Sequence, residues 1–207
     1  MSFESENYVV GFGSLLSDDS RRRFSDINCQ AIPVVISGWR RAWMTRSLDE
    51  QQTHLSALVD EGASFNAALL PIEQISPQLI RREQDYEFVK VDSRQLSVAV
   101  NQPLLDFSYE LANKNLWICQ TKKSESASPN YPICQTYLDT CLAGCLEIGM
   151  RGFCLEFLQS TAGWDAGWIN DRLAPRYPRA AIISHETQHL IDEMLADSNL
   201  LQHRHRD

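Results

Sequence analysis

The stretch YVVGFGSLL, residues 8–16, leads from a run of apolar residues into a turn that contains two glycines and a serine. Val and aromatic residues dominate residues 7–12, which predicts a buried β-strand ending at this turn. Glycine lets the backbone approach a ligand closely, so the turn could present its N–H groups to a bound molecule. It lacks the third glycine of G-x-G-x-x-G and the G-K-[ST] of a P-loop, which makes it a weak nucleotide signal. Taken alone, it is more simply interpreted as a tight turn without a ligand.

Further strand patterns fill the first part of the chain. Strands are predicted at residues 32–45 with an irregularity at Gly38, at 53–72, at 87–100 as two strands, and at 115–121. The segment 53–72 predicts a β-hairpin, with Asp60-Glu61-Gly62 as its turn.

Helical patterns dominate the last part of the chain. They cover residues 131–149, 151–163 and 184–202, and a shorter helix is predicted at residues 76–86. Ser76 can cap the shorter helix, Pro77 suits its first position, and Gly149 is expected to end the helix that begins at residue 131. Strands followed by helices predict an α+β fold, a small closed or strongly curved mixed β-barrel with flanking helices.

Composition limits the organisation and the partners of the chain. No long Pro/Gly/Ser-rich linker is present, so a single domain over residues 1–207 is expected, with a core at 1–149 and a helical C-terminal extension at 150–207. The formal net charge of −8 argues against nucleic acid as a partner. With neither a signal-peptide pattern nor a run of about eighteen apolar residues, a cytoplasmic protein without a membrane span is expected. The six cysteines form no C-x-x-C pair and are expected to be reduced, mostly buried thiols.

Four short segments, in the same order along the chain, resemble the γ-glutamylcyclotransferase-like superfamily. The first is FGSL, residues 12–15, which is similar to the family's Tyr-Gly-Ser motif after the first strand but has Phe12 instead of Tyr. The others are HLSALVDEGASFNAALLPI (54–72), RREQDYEFV (81–89) and SPNYPIC (128–134). Together they cover roughly residues 8–145, so the resemblance does not extend to the tail at 150–207.

The resemblance implies a reaction in which the α-amino group of a γ-glutamyl compound attacks its own γ-carbonyl and releases 5-oxoproline and an amine. The expected substrate is a small γ-glutamyl molecule: a peptide, an amine or glutathione. Glu83 takes the position of the family's catalytic glutamate and would act first as base and then as acid; Asp85 is the nearest substitute. The residues expected to bind substrate are Val9, Val10, Gly11, Phe12, Gly13, Ser14, Leu15 and Tyr131. No metal or cofactor is expected, because preorganised hydrogen-bond donors suffice to stabilise the oxyanion.

Two other interpretations stay open. The first is a catalytically silent small-molecule-binding or interaction module on the same fold, since Phe12 departs from the motif and the tail is unmatched. The second, more remote, is a zinc enzyme, because HETQH at residues 185–189 matches H-E-x-x-H, in which two histidines one helical turn apart bind zinc. No third ligand follows at a recognised spacing, so a polar surface helix is the simpler interpretation.

The segment at residues 163–180 contains two tryptophans and two prolines. A loop whose aromatic residues fill the edge of the core is slightly favoured there over a lid or specificity wall above the substrate pocket. A contact with another subunit, as in a homodimer, is also left open.

Overall fold

The computed structural model describes residues 4–98 and 107–206. Within them, seven strands form one mixed sheet and three short strands form a second. The large sheet contains β1 (Asn7–Gly11), β2 (Ile32–Ser47), β3 (Gln52–Ile72), β4 (Tyr86–Lys90), β5 (Leu96–Val98), β6 (Asn115–Thr121) and β8 (Thr161–Ala162). The small sheet contains β7 (Ile133–Cys134), β9 (Trp168–Asn170) and β10 (Arg204–Arg206). The helices are α1 (Asp18–Ser25), α2 (Pro77–Arg82), α3 (Phe107–Glu110), α4 (Gln135–Gln159) and α5 (His185–Asp197).

The α+β class expected from the sequence is confirmed as a large curved sheet with flanking helices. Its strand order is β4-β6-β1-β3-β2-β5, and β8 pairs with β2. The sheet curls because the first half of β3 returns to β6, where Ala57 pairs with Gln120. The strongly curved form of the prediction is the one observed; among the described strands no closed barrel is detected, so that form stays unconfirmed.

The hairpin predicted at residues 53–72 is wrong. Residues 52–72 form the single strand β3, and the hairpin turn lies earlier, at residues 48–51 between β2 and β3. Asp60-Glu61-Gly62 fall at a shift in the register of β3 with β2, opposite Gly38, which has a φ of +80°. The irregularity expected at Gly38 is therefore present, and the acidic turn signal marks a bulge that bends the ribbon. A long partner strand that pairs with both halves of β3 overrides the local turn preference.

The helices differ from their predicted bounds in ways that the backbone explains. Helix α2 begins at Pro77 as expected, with the Ser76 hydroxyl accepting a hydrogen bond from the Leu79 N–H. The two helices predicted on either side of Gly149 are both present within α4, which is interrupted at Gly149 and Met150 because these residues have non-helical backbone angles. Helix α5 is shorter than the predicted 184–202.

The structure agrees with the two predicted strands at 87–100 as far as residue 98. They are β4 and β5, which pair with β6 and β2 and not with each other. Residues 99–100 lie outside the described residues.

The position of β1 creates the site described below. It lies between β3 and β6 in the sheet, and its last residue, Gly11, pairs with Ala68. The chain then leaves the sheet through a short 3₁₀ turn, Ser14–Leu16, whose three residues are buried. Helix α4 packs directly on this turn at Gly144, where an added Cβ would lie 2.3 Å from the Leu16 carbonyl carbon.

Residues 171–183, between β9 and α5, have no regular secondary structure but are held at several points; we call them the C-terminal wall. Asp171 accepts hydrogen bonds from the N–H and the hydroxyl of Thr136 at the start of α4. The Arg179 carbonyl accepts one from the Ser20 hydroxyl of α1. The C-terminal wall is thereby fixed against the elements that surround the 3₁₀ turn.

Of the helices within the described residues, none combines the length and the apolar character needed to span a membrane.

Candidate active site

A narrow pocket lies where β1 ends. Its walls come from residues 12–15, from the start of β3, from the junction of α2 and β4, and from the C-terminal wall. The pocket encloses about 30 Å³, whereas pockets for drug-sized ligands measure roughly 300–1,000 Å³. There is room for little more than one or two water molecules, since one needs roughly 10–15 Å³. A larger ligand therefore has to extend out of the pocket or displace one of its walls.

Glu83 carries the carboxylate of this pocket. It is the residue that ends α2, and its side chain is 10% exposed. Burial raises the pKa of Glu83 above its ordinary value, and the positive charges of Arg82 and Arg179 oppose that rise. Arg82 Nε lies 3.3 Å from Glu83 Oε1, yet no hydrogen bond among the described residues reaches the carboxylate. A buried carboxyl group with a raised pKa and unused acceptor atoms is suited to take up and return a proton.

The loop at residues 12–15 turns its carbonyl groups toward the protein. The Phe12 carbonyl lies 3.5 Å from Arg41 Nη1, and the Gly13 and Ser14 carbonyls accept hydrogen bonds from the N–H groups of Leu16 and Ser17. The N–H groups of Ser14 and Leu15 begin the 3₁₀ turn and so have no acceptor within it. Such a set of backbone donors beside a carboxylate is an arrangement that can hold a carboxylate or an oxyanion.

Gly13 is required by the close approach of an aromatic residue. A Cβ at this position would lie 2.6 Å from the Tyr137 hydroxyl. That hydroxyl also accepts a hydrogen bond from the Leu55 N–H at 3.4 Å, which joins α4 to β3 beneath the loop. The glycine is thus explained by packing within the site.

Ser14 links the loop to the rest of the pocket. Its hydroxyl oxygen accepts hydrogen bonds from Arg82 Nη2 at 2.9 Å and from the Tyr177 hydroxyl at 2.8 Å. Because both partners donate, the Ser14 proton is available for another acceptor. Arg82 also donates to the carbonyl and hydroxyl of Ser20, so it anchors α1 and the loop together.

A second carboxylate, that of Glu50, lies close to Glu83 and is paired with Arg179. Arg179 donates from Nη1 to Glu50 Oε1 at 2.6 Å, and His54 Nε2 lies 3.3 Å from Glu50 Oε2. The His54 ring stacks on Tyr137 with 4.7 Å between centroids. Burial alone would raise the pKa of Glu50, but its contacts with His54 and Arg179 outweigh this effect and lower the pKa to about 2.

Glu50→Gln should lower the free energy of unfolding by about 1–3 kcal/mol at pH 7. A carboxylate with a depressed pKa stabilises the fold above its unfolded pKa of about 4.3, and this stabilisation is lost as the pH falls toward 2. The difference from wild type should therefore shrink when urea unfolding is repeated at pH 3. Glu61→Gln, at an exposed position of the β3 bulge, is the control and should change nothing. An equal loss at both pH values would contradict this role of Glu50.

The structure brings most of the predicted site residues together. Glu83 and the loop residues Phe12, Gly13, Ser14 and Leu15 line the same pocket. Val9, Val10 and Gly11 are buried in β1 and support the loop from the sheet, away from the lining of this pocket. Tyr131 also lies outside the lining, with its ring 4.6 Å from the Arg46 guanidinium and its carbonyl accepting a hydrogen bond from Thr53.

Several pocket residues are not among the site residues predicted from the sequence. They are His54, Arg82, Tyr86, Cys119, Tyr137, Tyr177 and Arg179. Arg82 is one of two adjacent arginines, a pattern typical of an exposed ion pair, although it is only 7% exposed. Tyr177 and Arg179 belong to the segment for which a filler of the core edge was slightly favoured over a specificity wall. Trp168 of that segment is buried in the core, and Tyr177 and Arg179 line the pocket, so the part in specificity stays a prediction.

Two other kinds of reactive side chain, the Cys119 thiol and the histidines of HETQH, can be placed relative to the pocket. Cys119 lines the pocket, but burial and the nearby charge of Glu83 raise the pKa of its thiol well above the usual value, so it is no ready nucleophile. His185 and His189 lie on the exposed surface of α5, away from the pocket. Within residues 4–98 and 107–206, no group of three or more His, Cys, Asp or Glu residues could hold a metal ion.

The fold is similar to solved structures of one class. A protein described as a γ-glutamyl cyclotransferase aligns with a TM-score of 0.54 and 9% identity, over 90% of this chain and 98% of that protein. An uncharacterized protein from Homo sapiens aligns with a TM-score of 0.51 and 10% identity, over 89% of this chain and 97% of its own. YkqA from Bacillus subtilis aligns with a TM-score of 0.51 and 15% identity over 73% of this chain. The alignment covers 52% of YkqA, so the chain spans about half the length of that protein.

The chain therefore has the γ-glutamyl cyclotransferase fold. This confirms, at the level of the fold, the resemblance carried by four short sequence segments. No protein-family model matches the sequence, and no curated protein does so either.

Proposed function

We propose that this chain is a γ-glutamylcyclotransferase-type enzyme that releases 5-oxoproline from a γ-glutamyl peptide, amine or glutathione. The observation that carries the proposal is the pairing of Glu83 with the loop at residues 12–15 in one pocket. Glu83 is buried, has a raised pKa and keeps its acceptor atoms unused, while the loop offers backbone donors beside it. The shared fold supports this assignment, but the assignment rests on the pocket.

The proposed reaction needs one group that moves a proton twice. The Glu83 carboxylate takes a proton from the α-ammonium group of the substrate, and the freed nitrogen attacks the γ-carbonyl carbon. A C–N bond forms, and the negative charge on the carbonyl oxygen is held by the N–H groups of the loop. The bond from this carbon to the leaving nitrogen then breaks, as protonated Glu83 gives its proton to that nitrogen. The ring nitrogen gives up its second proton to the regenerated Glu83 carboxylate or to water, which leaves 5-oxoproline with a neutral ring amide and the free amine. Holding amine and carbonyl in contact replaces a flexible chain by a reactive conformation, which can supply several kcal/mol.

The proposed active site contains residues from the C-terminal extension as well as from the core. Tyr177 binds the Ser14 hydroxyl and Arg179 lines the pocket, although both lie beyond residue 149. We therefore infer that residues 150–207 and 1–149 act as one functional unit.

A silent binding module on the same fold is the second candidate. The Phe12 ring is buried and packs against Phe65 with 5.9 Å between centroids, so this position offers no hydroxyl group to a ligand. Tight binding of 5-oxoproline without turnover of any γ-glutamyl compound would favour this candidate.

The test is release of 5-oxoproline from glutathione, several γ-glutamyl amino acids and γ-glutamyl-ε-lysine, each with and without EDTA. We expect at least one compound to be turned over at a rate that EDTA leaves unchanged. Absence of release from every compound would refute the proposal. Release that EDTA abolishes would instead direct attention to the HETQH motif.

A further inference from the structure

The pocket around Glu83 contains nitrogen atoms that its own acceptors do not hydrogen-bond. Within the described residues, three buried nitrogens have no hydrogen-bond partner and belong to residues that line this pocket: Arg82 Nε, Arg179 Nε and His54 Nε2. Arg82 and His54 lie at ion-pair distance from Glu83 and Glu50, but without hydrogen-bond geometry. Buried arginine donors without acceptors are costly, so the two unpaired arginine nitrogens beside one pocket point to an anionic ligand group.

Arg179 is the donor of the three that can best serve a ligand. Arg82 already donates four hydrogen bonds from its two terminal nitrogens, which fixes it as an anchor of α1 and the loop. Arg179 uses Nη1 for Glu50 and leaves Nε unused. Its side chain is 18% exposed, against 2% for Arg82, so it can shift as the narrow pocket widens.

The chemistry of the proposed substrate indicates which of its carboxylates would bind Arg179. In a γ-glutamyl compound, the α-amino group and the α-carboxylate are bonded to the same carbon. A base that takes the α-amino proton must therefore have the α-carboxylate within a few ångströms. Arg179 lines the same pocket as Glu83 and is close enough for its charge to oppose the rise of the Glu83 pKa.

We propose that Arg179, reaching in from the C-terminal wall, binds the α-carboxylate of the γ-glutamyl group and makes this carboxylate a condition for good binding. The inference rests on the proposed function, and it assigns the specificity to a residue outside the segments that resemble other proteins. A guanidinium group suits this task because it can offer parallel N–H donors to a carboxylate.

The experiment compares two substrates that differ only in the α-carboxylate. One is a γ-glutamyl amide; the other is the 4-aminobutanoyl amide of the same amine, which would cyclise to 2-pyrrolidone. In Arg179→Gln we expect KM for the γ-glutamyl amide to rise roughly 10- to 100-fold, as for loss of a charged hydrogen bond, with a much smaller change in kcat. Activity on the 4-aminobutanoyl amide should fall much less than activity on the γ-glutamyl amide, and Arg179→Lys should recover part of the difference between them. Arg176→Gln, an exposed arginine of the same wall, is the matched control and should behave as wild type.

Calorimetric binding of 5-oxoproline and 2-pyrrolidone separates failure of this inference from failure of the proposed function. If wild type turns over neither amide but binds 5-oxoproline, and Arg179→Gln loses that binding while remaining folded by circular dichroism, the carboxylate assignment stands without the reaction. A variant that keeps the wild-type preference for the α-carboxylate overturns the assignment. The assignment is also overturned if Arg179→Gln lowers activity on γ-glutamylglycine but not on γ-glutamylmethylamine. Arg179 would then bind the carboxylate of the leaving amine.

Discussion

Glu83→Gln should lower 5-oxoproline release by about 10²–10⁴-fold in kcat, the range observed when a general acid–base group is removed. Glutamine has nearly the same shape as glutamate, so the pocket should keep its packing. It can neither accept the α-ammonium proton nor return one to the leaving amine. Binding of 5-oxoproline to the variant should persist, because the loop donors and Arg179 are unchanged.

Glu83→Gln should also change how stability depends on pH. This measurement distinguishes an effect on catalysis from an effect on folding. Because burial raises the pKa of Glu83, the native protein binds more protons than the unfolded chain between the unfolded pKa of about 4.3 and the raised native value. The contribution of Glu83 to stability therefore falls as the pH rises through this window. Glu83→Gln has no such titration, so at pH 7 it should be at least as stable as wild type.

Asp85→Asn is the matched control for Glu83→Gln. Asp85 also lines the pocket but is partly exposed, and we expect a change in kcat of less than about tenfold. An inactive Asp85→Asn with an active Glu83→Gln would transfer the proton-transfer role to the nearest substitute. Near-wild-type activity in both variants would refute a carboxylate mechanism in this pocket.

The sequence predicted those parts of the site whose signals are local. Ser76 and Pro77 mark the start of α2, and the end of that helix is what places Glu83. The apolar run and glycines at residues 8–16 predict a buried strand followed by a tight turn, as the structure has it. These signals suffice because each depends on residues only a few positions apart.

The remainder of the site depends on contacts between distant parts of the chain. Tyr177 lies 163 positions from Ser14, and Arg179 lies 129 positions from Glu50, so no local pattern could reveal either pair. Residues 60–62 likewise predicted a turn, but the pairing of β3 with β2 keeps them within one strand. Arg41 is a further example, since it is fully buried and binds both the carbonyl and the side chain of Asn66. In sequence it is one of two adjacent arginines, which is typical of an exposed ion pair.

Gly144→Ala should have the largest effect on stability, with a loss of about 3 kcal/mol from overpacking. Helix α4 crosses the turn after β1 at this glycine, and the new Cβ would lie 2.3 Å from both the Leu16 carbonyl carbon and the Ser17 nitrogen. These are backbone atoms, so no side-chain rotation can relieve the overlap. Either the helix or the turn must move, and the turn carries the donors proposed to hold the substrate.

Gly152→Ala, in the same helix, is the control because an added Cβ there has no neighbour within 4 Å. Alanine is the better helix former, so this variant should be as stable as wild type or more stable by up to about 1 kcal/mol. Thermal unfolding should show a decrease in Tm of roughly 6–12 °C for Gly144→Ala, since 1 kcal/mol corresponds to about 2–4 °C in a chain of this size. If Gly144→Ala has the same Tm as wild type, α4 does not press on the turn, and it is not what fixes the Ser14 and Leu15 N–H groups beside Glu83.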